Sequence, residues 1–182
     1  MTAFAIFTAI GSDRVGIVDD LTAQILERRC NVEESRMTVL GGEFAVMLLV
    51  SGQPEEVAEL LAAGPAIGQT LGLLVATKQT TPPRRDARMR PYQLESVSLD
   101  TPGILHSVTS LLRGHGINIE DLETETSAAP WTGAPMFLMR ARLSLPPAVS
   151  PAALREELEA LEAQQNLDVR LTPIAPAGPA DR

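Results

Sequence analysis

The amino-acid sequence repeats itself. Asp13, Gly16, Ile17, Asn31 and Glu33 return at one constant spacing as Asp100, Gly103, Ile104, Asn118 and Glu120. The stretch Ser12-Asp13-Arg14-Val15-Gly16-Ile17-Val18 falls on Leu99-Asp100-Thr101-Pro102-Gly103-Ile104-Leu105. With no gap, Arg29-Cys30-Asn31-Val32-Glu33-Glu34 then falls on Gly116-Ile117-Asn118-Ile119-Glu120-Asp121. Agreement at glycine and polar positions over that distance marks a tandem duplication. The 182 residues must therefore fold as two copies of one small unit.

Each copy shows the same order of periodicities. Residues 3–10 alternate as a strand. Ile17, Leu21 and Ile25 then recur every fourth position, the stripe of an amphipathic helix. Two strands follow, near Val32–Leu40 and Phe44–Val50, joined by Gly41-Gly42, which suits a two-residue hairpin turn. Pro54-Glu55-Glu56 opens a second helix with Val57, Leu60 and Leu61 inward, which Gly64-Pro65 is expected to stop. Leu71, Leu73 and Val75 alternate in a closing strand. The second copy runs through a strand near Tyr92–Leu99 and a helix carrying Ile104, Leu105, Val108, Leu111 and Leu112. Strands near Ile117–Thr126 and Met136–Leu145 come next, then a helix capped at Ser150-Pro151 with Leu154, Leu158 and Leu161 inward. Leu167, Val169 and Leu171 form the last strand. The fold class is α+β: two ferredoxin-like βαββαβ units, antiparallel sheets with helices on one face. The expected boundaries are 1–77, a linker at 78–90, 91–174, and a flexible tail at 175–182. Lys78–Arg90 has two prolines and a local net charge of +4, the composition of a solvated linker.

Composition then narrows function. A formal net charge of -8 and 3% aromatic residues speak against direct nucleic-acid binding, which wants a basic face and stacking rings. A single cysteine, Cys30, excludes an internal disulfide and a Cys-cluster metal site. His106 and His115 are the only imidazoles, and neither has a sequence neighbour that suggests a catalytic triad. No apolar run reaches the roughly 18–20 residues of a membrane span. The expectation is a cytoplasmic protein with no membrane contact, no metal, no cofactor and no catalytic residues. Cys30 reads as a small buried hydrophobe. Trp131, in the hairpin loop Ala128–Ala134, is open between a partner contact and packing on its own domain.

The repeated polar loop carries the chemistry. Asp-x-x-Gly-Ile sits between a strand end and a helix start, where free N–H groups and the helix dipole favour an anion. Gly16 and Gly103 lack a Cβ, so a ligand or a neighbouring backbone can come close. If the helix runs back along the sheet, Asn31 and Asn118 open the next strand near that loop. A carboxylate on the helix start and an ammonium near Asp or Asn oxygens describe a free amino acid. A structural account of the same residues stands beside this one. Asp13 and Asp100 would cap the helix, the glycines would allow a tight turn, and the asparagines would sit at a left-handed helix-to-strand junction.

The loop with Gly16-Ile17, the run Cys30-Asn31-Val32-Glu33 and the βαββαβ order resemble the ACT domain, a family of regulatory modules that commonly bind amino acids between paired domains. Asp13–Val18, Asn31-Val32-Glu33-Glu34-Ser35-Arg36, Gly42-Glu43-Phe44, Gly116-Ile117-Asn118-Ile119 and the Pro/Arg-rich linker are similar to the glycine cleavage system transcriptional repressor family. Val15 departs from it, standing where the family usually carries proline; Pro102 keeps the proline in the second copy. The resemblance implies ligand contacts at Asp13, Arg14, Val15, Gly16, Ile17 and Asn31. The second set is Asp100, Thr101, Pro102, Gly103, Ile104 and Asn118. It further implies a non-enzymatic, amino-acid-responsive transcriptional regulator, with glycine the favoured effector and a LysR-type activator the protein partner. The alternative is an ACT-type sensor or assembly module that regulates an enzyme or pairs with another ACT chain. Free sheet edges also offer a route to a homo-oligomer.

Overall fold

In a computed structural model, which describes residues 1–81, 88–130 and 132–175, the chain divides into two units, Met1–Arg84 and Arg85–Arg182. The first contains β1 (Ala3–Ser12), α1 (Ile17–Glu27), β2 (Asn31–Leu40), β3 (Glu43–Gly52), α2 (Pro54–Leu71) and β4 (Leu74–Thr80). The second repeats the order as β5 (Arg90–Leu99), α3 (Ile104–Gly114), β6 (Asn118–Ala128), β7 (Pro135–Leu145), α4 (Pro151–Gln165) and β8 (Leu167–Pro173). Strand orders are β2-β3-β1-β4 and β6-β7-β5-β8, antiparallel at every pairing. This is the ferredoxin-like arrangement that the repeat implies. No helix among the described residues is long and apolar enough to cross a membrane.

Local signals account for most elements. Ile17, Leu21 and Ile25 are buried along one stripe of α1, each side chain contributing about 1.5–3 kcal/mol through burial. Gly41 and Gly42 both take positive φ, 60° and 84°, as a twist-matched two-residue hairpin requires. Ser150 Oγ accepts from the Ala153 N–H at 3.4 Å, with Pro151 at the first helical position of α4. Both helices of unit 1 pack on the same sheet face, because Ala5, Phe7, Ala9, Phe44, Val46, Leu48 and Val50 form one core with the α1 and α2 stripes. Leu94, Met139, Ala141 and Leu143 do the same with α3 and α4.

Three expectations change. First, α2 does not stop at Gly64-Pro65 but continues to Leu71, with Pro65 inside it. A Cβ on Gly64 would lie 2.9 Å from Thr77 Cγ2, and one on Gly68 2.6 Å from the Leu73 carbonyl oxygen. The two glycines let α2 lie directly on β4, and that packing outweighs the hydrogen bond Pro65 cannot donate. Second, β4 runs through Thr80 and β5 begins at Arg90, so both ends of the segment assigned to a linker are strand. Third, Arg90 is not a solvated linker arginine. Its guanidinium donates to the carbonyls of Pro146 (3.1 Å) and Val149, tying β5 to the turn before α4. Residues 82–87, Trp131 and 176–182, with Arg84, Arg85 and most of the expected tail, lie outside the described residues.

The two units differ on the other face of the sheet. Cross-strand partners share a face, and the registers Ile6↔Leu49, Thr8↔Met47, Glu34↔Leu49 and Arg36↔Met47 align with Gln93↔Arg142, Glu95↔Arg140, Asp121↔Arg142 and Glu123↔Arg140. On the two central strands this face carries Ile6, Thr8, Met47 and Leu49 in unit 1 against Gln93, Glu95, Arg140 and Arg142 in unit 2, while the flanking strand is charged in both. One fold supports both.

Candidate functional site

The loop that leaves β1 is tied to the neighbouring hairpin: the Asp13 N–H donates to the Gly42 carbonyl at 3.0 Å. Its counterpart at Asp100 donates to the Pro135 carbonyl at 2.9 Å. Each loop then turns into its helix through a glycine in the left-handed region, Gly16 at φ 87° and Gly103 at φ 99°. The Gly16 carbonyl accepts from the Asp20 N–H and the Gly103 carbonyl from the Ser107 N–H, both at 2.9 Å. Neither helix start has a side-chain cap, so its first N–H groups have no side-chain acceptor within the turn. A Cβ on either glycine would meet nothing within 4 Å. The positive φ, not a close-approaching backbone, is what demands glycine here.

Asp13 and Asp100 do not cap their helices, and among the described residues nothing bonds their carboxylates. Val15 is fully exposed, and Thr101 and Pro102 are exposed beside Gly103. Ile17 and Ile104 are buried core residues, so their contribution to a ligand is a backbone N–H rather than a side chain.

The repeats diverge electrostatically at this point. The first turn of α1 carries Asp19 and Asp20, which already complement the positive end of the helix. The loop's cation is taken up as well, because Arg14 pairs with Asp20 at 2.7 Å. The first turn of α3 has no acidic residue; Ser107 stands there instead, donating to the Gly103 carbonyl at 3.1 Å and accepting from Gln165 Nε2 at 2.7 Å. An anion meets a repelling first turn in unit 1 and an open one in unit 2.

Asn31 and Asn118 are not near these loops within their own units. Asn31 pairs with Ser51, which pairs with Phe4, whereas Ser12 and Glu43 lie at the opposite end. Eight residues of β1 separate the two ends, about 27 Å at ~3.4 Å per residue. The physical reason is the helix: an 11-residue α1 spans ~16 Å and returns the chain to the far end of the sheet. The left-handed junction residue is not the asparagine either, but Arg29 (φ 57°) in the first copy and Gly116 (φ 65°) in the second.

What the asparagine end holds instead is a repeated brace that sequence reasoning missed. The register slips between Val32 and Glu34, and again between Ile119 and Asp121, leaving Glu33 and Glu120 as the extra residues of two β-bulges. Ser51 Oγ donates to Glu33 Oε1, and Ser144 Oγ to Glu120 Oε1. Asn31 Nδ2 adds a 3.2 Å bond to Glu33. The recurrence of Glu33 as Glu120 was the available signal, but a serine distant in sequence supplies its meaning.

The remaining candidates fall into structural places. Cys30 is buried in the first core; burial, then Glu56 and Glu59, push its thiol pKa up. His106 is exposed, within 3.4 Å of Ser110 Oγ. His115 bonds Glu157 at 2.9 Å, joining α3 to α4.

Models of the ACT domain match residues 3–78 and 92–163. The chain is a tandem ACT-domain protein. Over 168 residues it is 30% identical to the glycine cleavage system transcriptional repressor of Escherichia coli (strain K12), covering 90% of this chain and 86% of that one, and it belongs to that family. A solved protein of unknown function from Galdieria sulphuraria is 32% identical, with a TM-score of 0.84 over 96% of this tandem ACT-domain chain and all of its own. A solved candidate glycine cleavage system transcriptional repressor, 23% identical, shares the fold at a TM-score of 0.74 over 97% of this chain and 99% of its own.

Proposed function

We propose that this tandem ACT-domain protein is a cytoplasmic, amino-acid-responsive regulator that controls transcription through a protein partner rather than by gripping DNA itself. Its family relationship to a transcriptional repressor supports the output. The net charge of -8 supports the indirect route, because phosphate contact wants a basic face. The partner class is a LysR-type activator and the effector class a small amino acid, glycine first. The protein is not an enzyme in this reading; its two histidines stand apart as surface and interhelix contacts.

The observation that carries the ligand reading is the start of α3. Asp100, Thr101, Pro102 and Gly103 deliver the chain to a helix whose first N–H groups lack a side-chain acceptor and whose first turn lacks a carboxylate. An amino-acid carboxylate fits that end through the backbone N–H groups of Ile104 and its neighbours. The Asp100 carboxylate, unbonded, suits the ammonium. Asp13, Arg14, Val15, Gly16 and Ile17 form the weaker copy, since Asp19 and Asp20 occupy the same field. Asn31 and Asn118 lie outside the loop of their own units.

Calorimetric titration with glycine, serine and alanine tests this. Wild type is expected to bind glycine, and Ser107→Asp, which installs in α3 the carboxylate α1 carries at Asp20, to weaken it at least tenfold. The mirror change Asp20→Ser should leave that affinity within twofold. No heat with any of the three amino acids would replace the sensor reading with an assembly module. Equal binding by Ser107→Asp and wild type would move the site away from α3.

A further inference from the structure

On the face of the second sheet turned away from its helices lies a cavity of about 340 Å³, lined by Gln93, Asp121, Glu123, Arg140, Arg142, Ile174 and Ala175. Arg142, one of these residues, lies directly across from Asp121 on β6 and from Gln93 on β5. Arg140 occupies the next position on the same face, between Glu123 and Glu95. Arg140 Nε is 3.5 Å from Glu95 Oε1; Arg142 has no ion pair or hydrogen bond to any described residue. Two guanidiniums and two carboxylates thus line one small space, with an amide on one side and the Ile174 side chain as an apolar wall.

The fold does not need the two arginines, although the flanking strand is charged in both units, at Glu34 and Arg36 and at Asp121 and Glu123. In unit 1 the register-equivalent positions of Gln93, Arg140 and Arg142 are Ile6, Met47 and Leu49, and the same four-stranded sheet forms around them. Exposed pairs such as Arg140–Glu95 add little stability, ~0–1 kcal/mol. A guanidinium left without a partner beside a carboxylate and an amide is instead a recognition set. A planar fork binds a carboxylate in bidentate fashion, and an acidic side chain on the neighbouring strand, whose backbone runs roughly 4.8 Å away, takes an ammonium. The volume lies at the small end of ligand pockets.

We propose that this cavity is a second ligand site, distinct from the loop at α3, that takes a zwitterionic α-amino acid with an apolar side chain of about leucine size. Arg142 holds its carboxylate, Asp121 with Glu123 its ammonium, and Ile174 packs on its side chain. Glycine has the two charges without the apolar group and is held less tightly. The site does not depend on the α3 reading, and either can fail alone.

Calorimetry on the full chain with L-leucine, 4-methylpentanoate (no ammonium) and isoamylamine (no carboxylate) separates the outcomes. Wild type is expected to bind leucine at least tenfold more tightly than either half-ligand and than glycine, with affinity falling as salt rises. Arg142→Leu, the residue unit 1 tolerates at the same register, should lower leucine affinity at least tenfold, and Arg142→Gln should do the same. Ser107→Asp should leave it within twofold. Absence of leucine binding, equal binding by Arg142→Leu, or loss in Ser107→Asp alone would each overturn the proposal. So would half-ligands that bind as well as leucine, since the paired charges would then have no role.

Discussion

Thr77 Oγ1 donates to the Leu61 carbonyl at 3.4 Å, the carbonyl that Pro65 leaves without its helical N–H. A side chain from β4 thus reaches back to repair α2 at the point where a proline interrupts its ladder. The same threonine packs against the space Gly64 leaves open.

Thr77→Val keeps the shape and removes the donor, stranding that carbonyl. Urea unfolding is expected to show a loss of about 1 kcal/mol. Gly68→Ala drives a Cβ to 2.6 Å from the Leu73 carbonyl oxygen, so it should cost ~1–3 kcal/mol despite alanine's better helix propensity. A stabilised Gly68→Ala would refute the close contact of α2 on β4.

Arg29 holds a left-handed conformation (φ 57°) where the second copy has Gly116 (φ 65°). Arg29→Gly relieves that strain and loses only a 3.2 Å pair between its exposed guanidinium and the partly buried Glu56. Stability is expected to rise by several tenths to ~1 kcal/mol. The reverse change, Gly116→Arg, should lower it, and thermal melts of the two variants give the signs.

Gly16 and Gly103 combine positive φ with open space. Alanine at either position is expected to cost ~1–2 kcal/mol through the backbone alone, with no further penalty from crowding. Gly16→Ala and Gly16→Leu should therefore be about equally destabilised in denaturant titrations. A much larger loss for leucine would reveal a contact at that loop.

Burial holds the Cys30 pKa above the usual thiol value in the folded protein. The unfolded chain then ionises first as pH rises. Below the unfolded thiol's pKa of roughly 8.5 this group leaves stability unchanged, and above it stability declines until the folded pKa is passed. Cys30→Ala should flatten that alkaline decline while lowering stability at neutral pH. A thiol reagent at pH 8 should modify native Cys30 far more slowly than the urea-unfolded chain.

Much of the architecture was written in local patterns. The constant spacing of Asp13, Gly16, Ile17, Asn31 and Glu33 with their second copies declared two like units. The stripe Ile17, Leu21, Ile25 defined α1, and Gly41-Gly42 defined a hairpin, because periodicity and positive-φ turns are properties of neighbours along the chain. The loop at Gly16 and Gly103 was legible as a helix start for the same reason.

Tertiary contacts decided the rest. Pro65 stops a helix by local rules and does not here, since Gly64 and Gly68 give α2 a seat on β4 and Thr77 serves its orphaned carbonyl. Glu33 and Glu120 recur in sequence, but only Ser51 and Ser144 show that they brace bulges. Asn31 was expected beside the Gly16 loop, yet helix length times rise carries it to the other end of the sheet. The contrast between Ile6, Met47 and Leu49 and their counterparts Gln93, Arg140 and Arg142 emerges only when cross-strand register aligns residues that chain order keeps apart. Sequence determined what each segment would form, because backbone preference and apolar period act over a few residues. Which segments met, and what chemistry their meeting produced, was decided by side-chain contacts between residues far apart in the chain.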